Sequence, residues 1–217
     1  ELKNVSLRPE IVDGTCMIAS DAQMVFYTTL INKGERLNAK LLTDIKYFTE
    51  NQMLNKLYNG FDGNHHSITF NINATSDNAG LAKESDGGTV KNLTILGKIA
   101  TANKYAAAVI GTAAGGTTTI SNVASYITIE TGVVGDGTHG GIVGVVNSAV
   151  NMKDCLFGGR IVGSSTNSCG GLVGWSSTTC RIDNCLQVGS METDPSGGCT
   201  FSRNMGAVIV TNSFYLN

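Results

Sequence analysis

From residue 89 onward this chain carries six acids, Glu130, Asp136, Asp154, Asp183, Glu192 and Asp194, and none forms a D-x-D cluster. Glycan cleavage on a β scaffold needs converging carboxylates, often beside a basic residue or calcium, and so sparse a set argues against it. The three histidines are His65, His66 and His139. Adjacent residues of a strand face opposite sides, so His65 and His66 are expected as one packed and one solvated imidazole. His139 closes the glycine-rich run Gly135-Asp136-Gly137-Thr138-His139 and is expected in a solvated turn that could reach a ligand. Six cysteines occur, Cys16, Cys155, Cys169, Cys180, Cys185 and Cys199, without a C-x-x-C pair or a histidine at zinc-finger spacing. No metal site or cofactor is expected from them. Trp175 is the single tryptophan, a stacking platform for a sugar ring if exposed and a packing residue if buried.

These residues are positioned by an internal repeat. One block reads apolar, spacer, Asn or Asp, then apolar or small: Val90-Lys91-Asn92-Leu93, Ile120-Ser121-Asn122-Val123, Met152-Lys153-Asp154-Cys155, Ile182-Asp183-Asn184-Cys185 and Val210-Thr211-Asn212-Ser213. Its Asn/Asp positions step by 30, 32, 30 and 28 residues. Between the copies a second block recurs, Ala107-Ala108-Val109-Ile110-Gly111, Gly140-Gly141-Ile142-Val143-Gly144 and Gly170-Gly171-Leu172-Val173-Gly174, with a degraded copy at Gly197-Gly198-Cys199-Thr200-Phe201. About three short strands in about 30 residues cannot bury a core alone, and stacking each strand on its copy in the next repeat solves this. The fold expected is therefore all-β, a parallel β-helix (β-solenoid) of about 30 residues per coil. A propeller blade needs more strands and residues, and a sandwich would not repeat its motifs in register.

Stacking assigns roles. Asn92, Asn122, Asp154, Asn184 and Asn212 superpose as a structural ladder at a turn, where Asn tolerates left-handed backbone and can bond to its counterpart in the next coil. Cys155 and Cys185 follow Leu93 and Val123 in one column, an apolar interior site for a thiol, and an inter-coil disulfide there stays open. The longest excursions, residues 101–105, 131–139, 164–168 and 193–196, fall at one register, which sets them side by side on one edge of the solenoid. Lys104, Tyr105, Asp136, His139, Asn167, Glu192 and Asp194, with Trp175, are the candidate ligand-binding residues of that edge.

One helix is expected, over 20–34, with Ser20 as its cap, Gly34 closing it, and Ala22, Val25, Phe26, Thr29 and Leu30 as the buried face. Placed over the first coil, it caps an exposed strand edge. Residues 1–19 read as a lead-in strand or linker, 20–217 as a single β-helix domain, 35–88 as its first coils and 89–217 as its regular repeats. Strands are expected at 40–45, 67–72, 89–95, 118–123 and 126–129. In 217 residues there are 27 glycines, 19 of them after residue 108, and the net charge is −2. That balance argues against nucleic acid as a partner, and no apolar run is long enough to span a membrane. The chain begins at Glu1 without methionine or an apolar leader, so it reads as a mature or trimmed chain whose export signal is out of view.

Gly170-Gly171-Leu172-Val173-Gly174-Trp175-Ser176 and Gly140-Gly141-Ile142-Val143-Gly144 resemble the GLUG motif of bacterial surface proteins, which also occurs in non-catalytic repeats of some immunoglobulin-cleaving metallopeptidases. Residues 41–45 and 60–68 are similar to the first coil of many such proteins, with His65 where glycine is usual. The resemblance covers roughly residues 20–217. It implies a right-handed β-helix that is exported, extracellular or on the surface of a gut-type bacterium, and linked to further domains. It brings no catalytic residues, and no His-Glu-x-x-His occurs here. The function expected is non-enzymatic and adhesin-like: binding a host or dietary glycan, or a surface protein, through the loop edge. A polysaccharide lyase or glycosidase of β-helix type and a structural spacer are the alternatives.

Overall fold

The computed structural model describes residues 7–164, 166–192 and 200–216, apart from the side chain of Asn167. The chain forms a parallel β-solenoid of about five turns, with coils of about 29 residues. The Asn block sets the register. Val150–Lys153 pairs in parallel with residues 118–121 on one side and with Cys180–Asp183 on the other, which in turn pairs with Val208–Thr211. Residues 89–91, Gly60–Asp62, Asn38–Leu41 and Thr15–Ile18 continue the same column toward the N-terminus. A second sheet stacks Leu54–Leu57, Ala82–Asp86, Ile110–Gly115, Val143–Val146, Val173–Ser176 and Ser202–Asn204. The core between the sheets is filled column by column, with Ile120, Met152 and Ile182 from the first and Ile110, Val143 and Val173 from the second. Each such buried aliphatic side chain contributes about 1.5–3 kcal/mol.

The ladder forms at the corner after the first column. Asn92, Asn122, Asp154, Asn184 and Asn212 all sit in the left-handed region, with φ between 48° and 54°. Asn122 Nδ2 donates to Asn92 Oδ1 at 2.9 Å, and Asn184 Nδ2 donates to Asp154 Oδ1 at 2.5 Å. Asn92 Nδ2 donates to Asp62 Oδ1 at 3.0 Å and Asn212 Nδ2 to Asp183 Oδ1 at 3.1 Å, in each case to the residue one position before the corner of the preceding coil. Donation always runs toward the preceding coil. Asp154 has no amide to give, so it makes no such bond to Asn122. Just past this corner Cys155 and Cys185 occupy the interior column of Leu93 and Val123; they and Cys16 and Cys180 are buried free thiols. Cys169 is also buried, and Cys199 lies outside the described residues.

The glycine blocks mark close approach. A Cβ on Gly140 would lie 2.0 Å from the Val143 carbonyl oxygen, and one on Gly174 would lie 2.6 Å from that of Thr138. Neither glycine has positive φ, so what these positions need is space rather than backbone freedom.

The helix spans Asp21–Asn32. Ser20 Oγ accepts from Gln23 N–H at 3.2 Å, and Gln23 Oε1 accepts from Ala19 N–H at 2.7 Å. Its buried face is a correction: Gln23, Met24, Tyr27, Thr28 and Ile31 pack inward, while Ala22, Val25 and Thr29 are exposed and Phe26 and Leu30 half-buried. Two apolar stripes with the same helical period share this segment, and polar neighbours choose between them. Asp21 Oδ1 accepts the N–H groups of Lys46 and Tyr47 at 2.7 and 3.0 Å. Thr28 Oγ1 donates to Gln52 O, Asn32 Nδ2 donates to Met53 O, and Asn32 Oδ1 accepts from Asn55 N–H. The stripe flanked by these groups faces the open edge of the first coil, satisfies its backbone and blocks further strand pairing.

Before the helix, Glu10–Val12 and Thr15–Ile18 form an antiparallel hairpin through Asp13 (φ 47°) and Gly14 (φ 72°). Thr15–Ile18 then pairs in parallel with Asn38–Leu41, so the first coil starts at Thr15 rather than at the helix. The strand expected at 40–45 is split by a corner into Asn38–Leu41 and Ile45–Phe48.

Candidate functional site

The second sheet is approached from outside by the loop row. A column of glycines, Gly111, Gly144 and Gly174, leaves room for it: added Cβ atoms would lie 2.5 Å from Asn78 Cα, 2.9 Å from Tyr105 O and 2.6 Å from Thr138 O respectively. Asn78, Tyr105 and Thr138 form a second left-handed corner, with φ of 67°, 66° and 48°. Asn suits that geometry, whereas a bulky aromatic and a β-branched residue are strained in it. Both strained residues line one groove.

That groove has a volume of about 330 Å³ and is lined by Tyr105, Asp136, Thr138, Val145, Asn147, Trp175 and Arg203. Val145, Trp175 and Arg203 stand at one register on three successive strands and form its floor. The Trp175 ring is half-buried and the Arg203 guanidinium leans over it, 5.3 Å from the centroid. Arg203 Nη1 also donates to Ser168 O at 2.6 Å and to Asp136 Oδ1 at 3.3 Å. Asp136 Oδ1 accepts the Thr138 hydroxyl at 2.5 Å. Burial opposes the charge on Asp136, but the Thr138 hydroxyl, Arg203 and Lys104 outweigh it and hold the carboxyl below its usual range. Asn147 Oδ1 accepts the Ser177 hydroxyl at 2.9 Å.

His139 lies beneath this wall and not on it. It is fully buried, which corrects both the solvated turn and the ligand role expected for it. Its Nδ1 accepts from Ala106 N–H at 3.1 Å, so Nε2 carries the proton and donates to Thr131 Oγ1 at 2.9 Å. The same Thr131 oxygen accepts from Val133 N–H at 3.2 Å. The ring thus ties the 101–105 excursion to the 131–139 excursion, and Tyr105 N–H donates to Gly137 O at 2.9 Å alongside it. Burial lowers the His139 pKa to about 4, only partly opposed by Asp136, so the imidazole is neutral near pH 7.

Of the residues expected on the ligand edge, Tyr105, Asp136 and Trp175 meet in the groove. Lys104 is exposed beside it and contributes charge. Glu192 stands elsewhere, paired with Arg160 at 2.5 Å on the outer face of the first sheet, where Lys98 and Glu130 pair at 3.3 Å. Asn167 lies in a short 3-10 turn, Thr166–Ser168, and Asp194 falls outside the described residues. His65 is exposed at the ladder corner, and half-buried His66 reaches Asp44 at 3.4 Å. Sequence reasoning missed Arg203 because it follows the degraded glycine copy, Gly197–Phe201, instead of standing inside a recognisable block. Val173 pairs with Ser202 and Trp175 with Arg203, so the register shifts by one residue between them and spacing alone does not set Arg203 beside Trp175.

Comparison with models of known families, with curated proteins and with solved structures found no match.

Proposed function

We propose that this protein is a non-enzymatic, adhesin-like module that binds a glycan in the Trp175 groove. The observation that carries the reading is the convergence of Tyr105 and Trp175, far apart in sequence, on one concave surface with Asp136, Asn147 and Arg203. An aromatic face buries the C–H side of a sugar ring, and neighbouring donors and acceptors take its hydroxyls. Among the described residues nothing engages Asn147 Nδ2, the Tyr105 hydroxyl or Asp136 Oδ2, which leaves them for this. The strained Tyr105 and Thr138 backbones fit a wall held for binding rather than for stability. Among the described residues the groove offers one carboxylate, already engaged by Arg203, where glycoside hydrolysis uses two. Resemblance to GLUG repeats supports a bacterial cell-surface location.

A glycan-array screen followed by calorimetry tests the reading, with reducing ends assayed on the same panel. Binding is expected without product, and Trp175→Ala should weaken it by roughly tenfold or more. Product release would make the groove an enzyme site. Absence of any ligand would leave the spacer.

A further inference from the structure

We propose that the ladder corner is a second ligand site, where the open rung between Asn122 and Asp154 takes the ammonium group of an amino sugar. Three observations carry this.

The rung is open because two acceptors meet. Asn122 and Asp154 stand at one register in adjacent coils, between the pairs Ser121–Lys153 and Ala124–Leu156, with φ of 51° and 54°. Asn122 Nδ2 donates down to Asn92, and Asp154 Oδ1 accepts from Asn184 above. Amide and carboxylate are planar, so Asn122 Oδ1 and Asp154 Oδ2 are turned toward the gap between the two coils. Among the described residues no donor reaches either oxygen. Asn184 Oδ1 also lacks a donor, but Asn212 in the next coil still carries an amide and turns it to Asp183. Asparagine at 154 would close the rung. Aspartate gives up that bond and adds a charge, and it forms no ion pair among the described residues. A residue that breaks its own repeat without structural return points to a site.

The open rung borders a groove of about 300 Å³, which shares no lining residue with the Trp175 groove. Thr94, Ala124 and Leu156 line it, and His65 and Asp154 are its only ionisable side chains. His65 is exposed and held at φ 67°, a left-handed position where a residue with a Cβ is uncommon. The volume suits one sugar ring. The Thr94 hydroxyl and the His65 imidazole can meet ring hydroxyls, and Leu156 can cover an apolar edge.

The spacing selects the charged group. Stacked strands repeat about every 4.7–4.9 Å, which sets the two acceptors about that far apart. An ammonium donating two hydrogen bonds of about 2.7–2.9 Å at the tetrahedral angle spans acceptors about 4.4–4.7 Å apart. It also brings the positive charge that Asp154 lacks. Two protein oxygens are too few for calcium, which takes about six to eight. A lysine side chain would bring the same ammonium on an apolar stem, and the polar groups at the far end of the groove favour the sugar.

Titration of the isotope-labelled chain with a glucosamine trisaccharide tests this, at about pH 6 where the amine is charged, with amide chemical shifts as the readout. Shifts are expected at residues 92–94, 122–124 and 154–156 and not at Tyr105 or Trp175, which separates this site from the Trp175 groove. The N-acetylated trisaccharide, which has no ammonium, should bind at least tenfold more weakly. Asp154→Asn closes the rung and removes the charge, so it should weaken binding by roughly tenfold or more. Its melting temperature, measured alongside, should not fall, so the loss cannot come from unfolding. No binding of the glucosamine trisaccharide overturns the proposal. So do equal binding of the N-acetylated form, shifts confined to the Trp175 groove, or an Asp154→Asn chain that binds like the wild type. A lysine tripeptide that shifts these residues where the trisaccharide does not overturns the assignment to a sugar.

Discussion

Acidification should unlock the groove wall through His139, and the size of the effect follows from its burial. The ring is fully enclosed, and its neutral form both accepts from Ala106 N–H and donates to Thr131. Protonation removes the acceptor and buries a charge. With the folded pKa near 4 and an unfolded value near 6.5, the unfolded chain binds the proton more readily between those values. Stability is then full above about pH 6.5, falls as pH drops toward 4, and shows no further loss from this group below that. The difference of roughly 2.5 pH units corresponds to at most about 3 kcal/mol, a large share of a typical domain's stability. The depressed carboxylates Asp44, Asp62, Asp136 and Asp183 act lower, because their contribution is present above about pH 4 and lost below it. The two windows are therefore separable. Urea unfolding followed by Trp175 fluorescence, from pH 7.5 to about 4.5, should show falling stability in the wild type. His139→Gln should be less stable at pH 7 and nearly flat across that range. A wild type that is flat from 6.5 to 4.5, or a variant with the same slope, would refute the buried neutral imidazole.

Asp154→Asn supplies the amide missing between Asn122 and Asp154, and should raise stability by about 0.5–1.5 kcal/mol, read as a higher melting temperature. Tyr105→Asn places in the left-handed position the residue that Asn78 holds one coil earlier, so thermal stability should not fall while glycan affinity does; a drop in both would show Tyr105 to be a packing residue. Gly174→Ala sets a Cβ against Thr138 O and Gly144 O, at 2.6 and 2.7 Å, and should lower the melting temperature and displace the groove wall, visible as altered Trp175 fluorescence.

The fold was legible because stacking writes itself into the sequence. A coil that buries its core only against its neighbours must repeat its interior and corner residues, so Asn92 to Asn212 and the glycine blocks announced both period and register. The helix segment was legible in position but not in orientation. Val25, Phe26 and Leu30 have the same period as Met24, Tyr27 and Ile31, and only the strand edge bound by Asp21, Thr28 and Asn32 separates the two stripes. The site was legible as a loop edge. Its membership was not, because the 131–139 loop folds back, burying His139 and lifting Asp136, and no local pattern distinguishes those two fates.

What the sequence determined by itself is everything that recurs: the β-solenoid, the Asn corner, the interior thiol column and the side that carries the loops. Tertiary structure alone decided what happens once. It put Tyr105 and Thr138 in strained left-handed positions over Gly144 and Gly174, sank His139 into the core, and brought Arg203 over Trp175 from the strand that follows a degraded repeat copy. The physical reason is the same for each. A repeat is selected coil by coil through nearest-neighbour contacts, so it is readable from spacing. A groove forms between excursions of different coils, and its contacts have no period to read.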